Sequence, residues 1–270
     1  MLNNIKFFDS LTHIKEDMSW YKTTKKADLS LLQHYYQQGE LTKAVIAAMP
    51  DDDYDYIGNT VLEQLPFCST VFSIKSEWLG KSDIELKLVL SELKQKYGAV
   101  GIKVHPRFSH IDIDSEQLQR VANLATSIGL IVYVCTILRK PVGPVTHTVH
   151  YHLAHLCEKC PETKFVFLHG GYTDLFSMGE IIRDYPNAYL DLSFTFMRFR
   201  KSSLALDVGY LFETLDKKVI IGTDFPEYTP AELKSAVEKY ILSRNDLVIT
   251  KNKLENIFYK NLDELVNYYE

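Results

Sequence analysis

Two rhythms of apolar and polar positions alternate along this chain. Short apolar, β-branched or aromatic runs fall at 5–10, 44–49, 70–74, 99–105, 130–136, 164–169, 188–194 and 219–223. Each is short enough to be a strand buried on both faces. Between them lie amphipathic stretches with apolar residues three and four apart, at 29–38, 84–97, 116–128, 145–158, 175–185 and 204–215, with a weaker one at 57–65 and a last one over 251–269. Punctuation agrees with this division. Gly98 and Gly129 stand before strands, Pro161 and Pro186 follow helices, and Thr229-Pro230 has the form of a cap followed by a first helical residue. Eight strands alternating with helices predict parallel βαβ units, and eight is a number that closes a barrel. The expected fold is therefore α/β, a (β/α)8 TIM barrel in a single domain over residues 1–270. The competing open doubly wound sheet normally has a glycine-rich turn after its first strand, and Asp9-Ser10-Leu11-Thr12-His13 contains no glycine.

Length and composition suit this reading. The chain has 270 residues, close to the ~250 of a typical barrel. Hydrophobic residues make up 46%, which supplies a large core, and charged residues 24%. A net charge of −5 argues against a broad nucleic-acid surface. No apolar run reaches the ~18 residues a membrane span needs, and the N-terminus lacks the pattern of a secretory signal. A cytoplasmic protein is expected, with Cys68, Cys135, Cys157 and Cys160 as thiols. Cys157 and Cys160 have CxxC spacing but no second pair, and read as two helix cysteines.

Four of the apolar runs break off in a metal-binding or proton-moving residue: Phe7 to His13, Val100 to His105, Phe165 to His169 and Val219 to Asp224. Parallel strands that end this way place those side chains at one mouth of the barrel, where barrel enzymes carry their chemistry. His13, His169 and Asp224 together suit a divalent metal such as zinc, which would lower the pKa of bound water toward ~7. Asp224 is equally suited to act as a general base. Lys103 lies in the same strand-four segment, and the sequence leaves open whether it is buried against an acid or points outward. Arg107, Arg139, Arg198 and Arg200 follow strands four, five and seven closely, and guanidinium groups there favour an anionic substrate. His147, His150, His152 and His155 form two helix-face pairs pointing in different directions, and read as surface histidines.

These segments resemble the amidohydrolase superfamily, especially its amidohydrolase-2-like branch of hydrolases, lactonases and decarboxylases. Asp9-Ser10-Leu11-Thr12-His13 is similar to that family's Asp-x-His-x-His on strand one, and Gly101 to Pro106 to its strand-four segment. Phe167 to Gly171 is similar to the His-Gly-Gly of strand six, Ile221 to Pro226 to the Gly-Thr/Ser-Asp-x-Pro of strand eight, and Asn256 to Asn261 to the usual final helix. The resemblance implies a (β/α)8 barrel with one or two metals. It makes His13 a strand-one ligand, Asp224 a ligand or base, and His169 a ligand or catalytic histidine. The chain departs from the pattern at two ligand positions, with Leu11 in place of the first histidine and Cys135 in place of the strand-five histidine. A mononuclear site on His13, His169 and Asp224, with Cys135 as a further donor, is expected, and a metal-free site is the alternative.

The expected activity is hydrolysis of a small anionic ester, lactone or amide by activated water. Asp224 and His169 are its catalytic pair, and His105, Arg107, Arg139, Arg198 and Arg200 hold the substrate. Metal-assisted decarboxylation and a non-enzymatic barrel that binds a metabolite or protein remain as alternatives. The 17 Tyr and 14 Phe leave a homodimer open.

Overall fold

The structure, a computed structural model, describes residues 2–137 and 149–269. Its strands are β1 (Phe8–Thr12), β2 (Lys43–Ala47), β3 (Cys68–Ser73), β4 (Gly101–Val104), β5 (Ile131–Cys135), β6 (Phe165–Leu168), β7 (Ala188–Asp191) and β8 (Val219–Ile220). Every neighbouring pair is parallel, in the order β1 to β8. The sheet closes on itself where the Ser10 amide donates to Ile221 O (3.4 Å), the His13 amide donates to Phe225 O (2.9 Å), and Thr12 bridges Phe225.

Around the barrel run α1 (Leu29–Gln37), α2 (Tyr54–Gln64), α3 (Asp83–Tyr97), α4 (Pro106–Ser109), α5 (Glu116–Ser127), α6 (Val149–Lys159), α7 (Leu175–Asp184), α8 (Thr195–Phe199), α9 (Leu204–Thr214), α10 (Pro230–Val237), α11 (Lys251–Glu255) and α12 (Asn261–Val266). Each expected helix has a counterpart within a few residues. The final one is divided, because a π-helical turn at Asn256–Lys260 separates α11 from α12. The short α4 and α8, at the mouth, have no periodic signal in the sequence.

Local chemistry explains the boundaries. Ser82 and Glu85 form a capping box at the start of α3, and Gly98 ends that helix in the left-handed region (φ 62°), where a side chain would be strained. Thr229 and Glu232 form a second box, with Pro230 in the first turn of α10.

Two apolar layers separate the barrel's inside from its outside. Ile102, Val104, Val132, Val134, Phe165 and Phe167 belong to the large cluster between sheet and helices. Phe8, Leu11, Val45, Val71, Ile131, Tyr133, Val166, Leu168 and Ile220 fill the interior, together with Leu262, Leu265 and Val266 from α12. On β4 and β5 the period of two therefore turns Gly101, Lys103, Ile131, Tyr133 and Cys135 inward. Gly101 is required there, since a Cβ would lie 2.8 Å from the Tyr133 ring and from Ile131 O. On β1 the register against β2 slips between Asp9 and Thr12. This extra residue shifts the inward face from Phe8 to Leu11 and His13.

The thiols are free, as expected. Cys157 and Cys160 are buried, and Cys160 Sγ lies 3.7 Å from Gln119 O. His152 and His155 both contact Asp114 on the segment before α5, His150 comes within 4.0 Å of Asp174, and His147 lies outside the described residues. No helix among the described residues is long and apolar enough to cross a membrane.

Candidate active site

A cavity of about 390 Å3 opens at the carboxyl ends of the strands. His13, Lys103, His105, Arg107, His169 and Asp224 line it, as do Trp20, Tyr21 and Glu227 from the loops after β1 and β8. Of the residues expected at the site, His13, His105, Arg107, His169 and Asp224 border this one space. Cys135 is buried beside His105 and His169.

His13 is held firmly. Its Nδ1 lies 2.5 Å from Ala47 O and donates to that carbonyl, and its ring stacks on Trp20 at 4.8 Å. This fixes the tautomer and turns Nε2, as an acceptor, toward Asp224 Oδ1 at 3.5 Å. Burial, and then the nearby Lys103 ammonium, hold the His13 pKa below its ordinary 6.5. Burial alone would raise the Asp224 pKa. The groups around it, His13, His169 and Lys103, outweigh burial and hold its pKa below the ordinary 3.8. An ionised carboxylate thus faces a neutral imidazole nitrogen.

His169 follows β6 directly and has φ 67°, with Gly170, Gly171 and Tyr172 also in the left-handed half of the map. That tight turn holds the imidazole at the mouth. The His169 amide donates to Asp191 Oδ1 (3.2 Å), and Nδ1 lies 3.1 Å from Ser193 O. Burial opposes a charge on the ring, but the adjacent Cys135 sulfur raises the His169 pKa above 6.5. Burial likewise opposes a Cys135 thiolate, yet His105 and His169 bring that thiol well below its ordinary range. Asp224 also has a positive φ, 54°, the kind of backbone strain that collects at functional sites.

Beneath the cavity lies a polar network. Asp9 accepts from the Thr223 amide (2.9 Å) and hydroxyl (2.6 Å), tying β1 to the residue before Asp224. Asp191 accepts from Ser10 and Ser193 hydroxyls. Gly222 is required here, since a Cβ would lie 2.4 Å from Ser10 Oγ and 2.8 Å from Asp9 Oδ1.

The expected arginine cluster is only partly assembled. Arg107 lines the cavity. Arg198 Nε donates to the Tyr172 hydroxyl (3.1 Å), and Arg200 donates to Met197 O and sits 6.0 Å from the Tyr228 ring, so both are engaged by groups of the loops after β6, β7 and β8. Short α8 accounts for this, because it holds Arg198 and is capped by Arg200, turning both into these contacts. Arg139 lies outside the described residues. Trp20 and Tyr21 had no signal in the sequence, since a long loop must fold back to bring them here. The Trp20 indole donates to Glu227 (2.9 Å), which pins that loop to the one after β8. Lys103, which the sequence left undecided, is inside and 2% exposed.

The amidohydrolase family model (Amidohydro_2) matches residues 82–261. The chain belongs to the amidohydrolase family. Members of the family are enzymes, and the chain has the barrel fold of its structural neighbours. No curated protein matches the chain significantly. Among solved structures it is similar to a probable 2-pyrone-4,6-dicarboxylic acid hydrolase from Acinetobacter baumannii with citric acid bound (14% identity, 97% of this chain and 99% of that one, TM-score 0.70). It is also similar to an amidohydrolase from Burkholderia multivorans with bound zinc (11%, 97% and 99%, TM-score 0.69). A third is 5-carboxyvanillate decarboxylase from Novosphingobium aromaticivorans with manganese and a nitrobenzoic acid (11%, 98% and 96%, TM-score 0.65). At these identities the likeness shows the shared fold.

The family includes proteins that hold zinc or manganese, so the donor set of this amidohydrolase was tested for such an ion. Among the described residues no three of His, Cys, Asp or Glu gather as a metal-binding group. Leu11 occupies its strand-one position as part of the inner apolar cluster. The Lys103 ammonium lies within electrostatic reach of His13, Cys135 and Asp224, three of the residues a divalent ion was expected to use. The residues present do not fit such an ion. The ligand set expected on His13, His169, Asp224 and Cys135 is not assembled here as a coordination shell.

Proposed function

We propose that this amidohydrolase hydrolyses a small anionic carbonyl compound, an ester, lactone or amide, by a mechanism that uses its own side chains in place of a metal. The observation that carries this reading is the opposition of two acceptors, Asp224 Oδ1 and His13 Nε2, 3.5 Å apart at the cavity wall. A group with two protons satisfies both, and water is that group. Asp224, ionised, takes a proton from the water as it attacks the carbonyl, and returns it to the departing oxygen or nitrogen as the carbonyl–heteroatom bond breaks. His169, raised in pKa by Cys135, donates to the oxygen on which negative charge develops. Arg107 at the cavity wall pairs with the substrate's own anionic group. The aromatic rings of Trp20, Phe108 and Phe194 flank the space and suit a flat, unsaturated substrate body.

The test is a screen of small carboxylated lactones and esters followed by the Asp224→Asn variant. Loss of the catalytic base is expected to lower kcat by about 10²- to 10⁴-fold. Full turnover in that variant would exclude this mechanism. Release of CO2 in place of a hydrolysed product would instead assign the site to decarboxylation.

A further inference from the structure

Lys103 is a buried amine that no carboxylate among the described residues pairs with by contact. It is 2% exposed, faces the barrel interior from β4, and lines the cavity. Its Nζ makes one polar contact among the described residues, to the thioether of Met49 at 3.8 Å, and sulfur is a weak acceptor. No carboxylate among the described residues lies within ion-pair distance of it, whereas Lys15, nearer the surface, pairs with Asp52 at 2.8 Å. An ammonium group has three protons to donate, and burial without partners is costly. A second unsatisfied group stands on the same wall. His105, just after β4, also lines the cavity, and its Nδ1 is buried with no hydrogen-bond partner among the described residues. Two orphaned polar groups side by side on one cavity wall describe a ligand with acceptor atoms.

We propose that Lys103 is the anion receptor of this site, binding an anionic oxygen of the substrate with His105 beside it and standing as the resident cation where relatives hold a divalent ion. This rests on the reading above that the substrate is anionic. The role differs from that of Arg107, whose planar guanidinium binds a carboxylate by its fork. Lys103 is a point charge in a low-dielectric interior, where its attraction for an anion is strong. Burial lowers the Lys103 pKa from its ordinary 10.5, and Cys135, Asp224, Asp52 and Asp191 within its electrostatic reach oppose that shift, as an anionic ligand would.

The experiment is calorimetric titration of the full chain with benzene-1,3-dicarboxylate, a flat dianion that hydrolysis cannot consume. It is run on protein as purified and again after dialysis against a chelator, with metal content measured in both. Wild-type protein is expected to bind equally in the two preparations. Lys103→Met is expected to weaken binding tenfold or more, while Lys103→Arg retains most of it. Lys103→Met is also expected to melt at or above the wild-type temperature, since it removes an unpaired buried charge. Should the methionine variant fail to fold, Lys103→Gln takes its place. Equal affinity in wild type and the Lys103 variants, loss of binding with the chelator, or no binding by wild type would overturn the proposal. The failure of the hydrolytic reading is seen separately, because Asp224→Asn tests turnover and these titrations involve none.

Discussion

His13 and His169 sit in one cavity, yet their surroundings push them in opposite directions. Burial and Lys103 hold the His13 pKa below 6.5, and Cys135 raises that of His169 above it. His13 acts as an acceptor, so activity is expected to rise with pH through the lowered His13 value. His169 acts as a donor, so activity is expected to fall as pH rises through the raised His169 value. The result is a bell whose limbs lie on either side of 6.5. In Cys135→Ser the raising influence is removed, and the alkaline limb is expected to move to lower pH while the acid limb stays. A pH–rate profile of the variant checks this, and an unmoved alkaline limb would detach Cys135 from His169. The same residues mark how far single positions could be read in sequence. His13, His169 and Asp224 were legible because each ends an apolar strand. The protonation of each was not, because it depends on groups brought in from other strands.

At the scale of elements, the join between β1 and β8 controls the site. The slipped register in β1 brings Leu11 and His13 to face inward, and Asp9 grips Thr223 across the closure. Gly222 makes that approach possible. A methyl group there would overlap Ser10 and Asp9, both fully buried and hydrogen-bonded. Gly222→Ala is therefore expected to cost about 1–3 kcal/mol through overpacking. It should also displace Asp224, lowering turnover more than that loss of stability alone explains. Thermal unfolding alongside kinetics on the folded variant separates the two effects. Wild-type stability in Gly222→Ala would mean that the closure yields more easily than its packing implies. The strands themselves were legible as apolar runs, and capped helices such as α3 and α10 as punctuation. The register slip was not, since a period of two says nothing about which face a neighbouring strand will accept.

For the whole molecule, the barrel's polar centre leaves a mark on stability. Asp9 is completely buried at the closure, and burial raises its pKa from 3.8 to about 7 despite its bonds to Thr223. The folded protein therefore keeps a proton on Asp9 that the unfolded chain loses above about pH 4. This contribution favours folding below that pH and fades as pH rises toward 7. Asp9→Asn, which keeps the shape without the titration, is expected to gain stability relative to wild type as pH increases from 4.5 to 7.5. Differential calorimetry at those two values checks it, and a difference that does not change with pH would show that Asp9 titrates alike in both states.

By itself, the sequence determined the alternation of strands and helices, the barrel that follows from it, and the end of the barrel at which His13, His169 and Asp224 meet. These depend on periodicity and on which residues break it, and both are local. The tertiary structure decided what the mouth contains. It carried Trp20 in on a loop, engaged Arg198 and Arg200 with groups of the neighbouring loops, and set Lys103 among the residues expected to hold a metal. Such outcomes depend on which side chains meet across strands distant in sequence, and on how low the dielectric is where they meet. Neither is written in the spacing of residues along the chain.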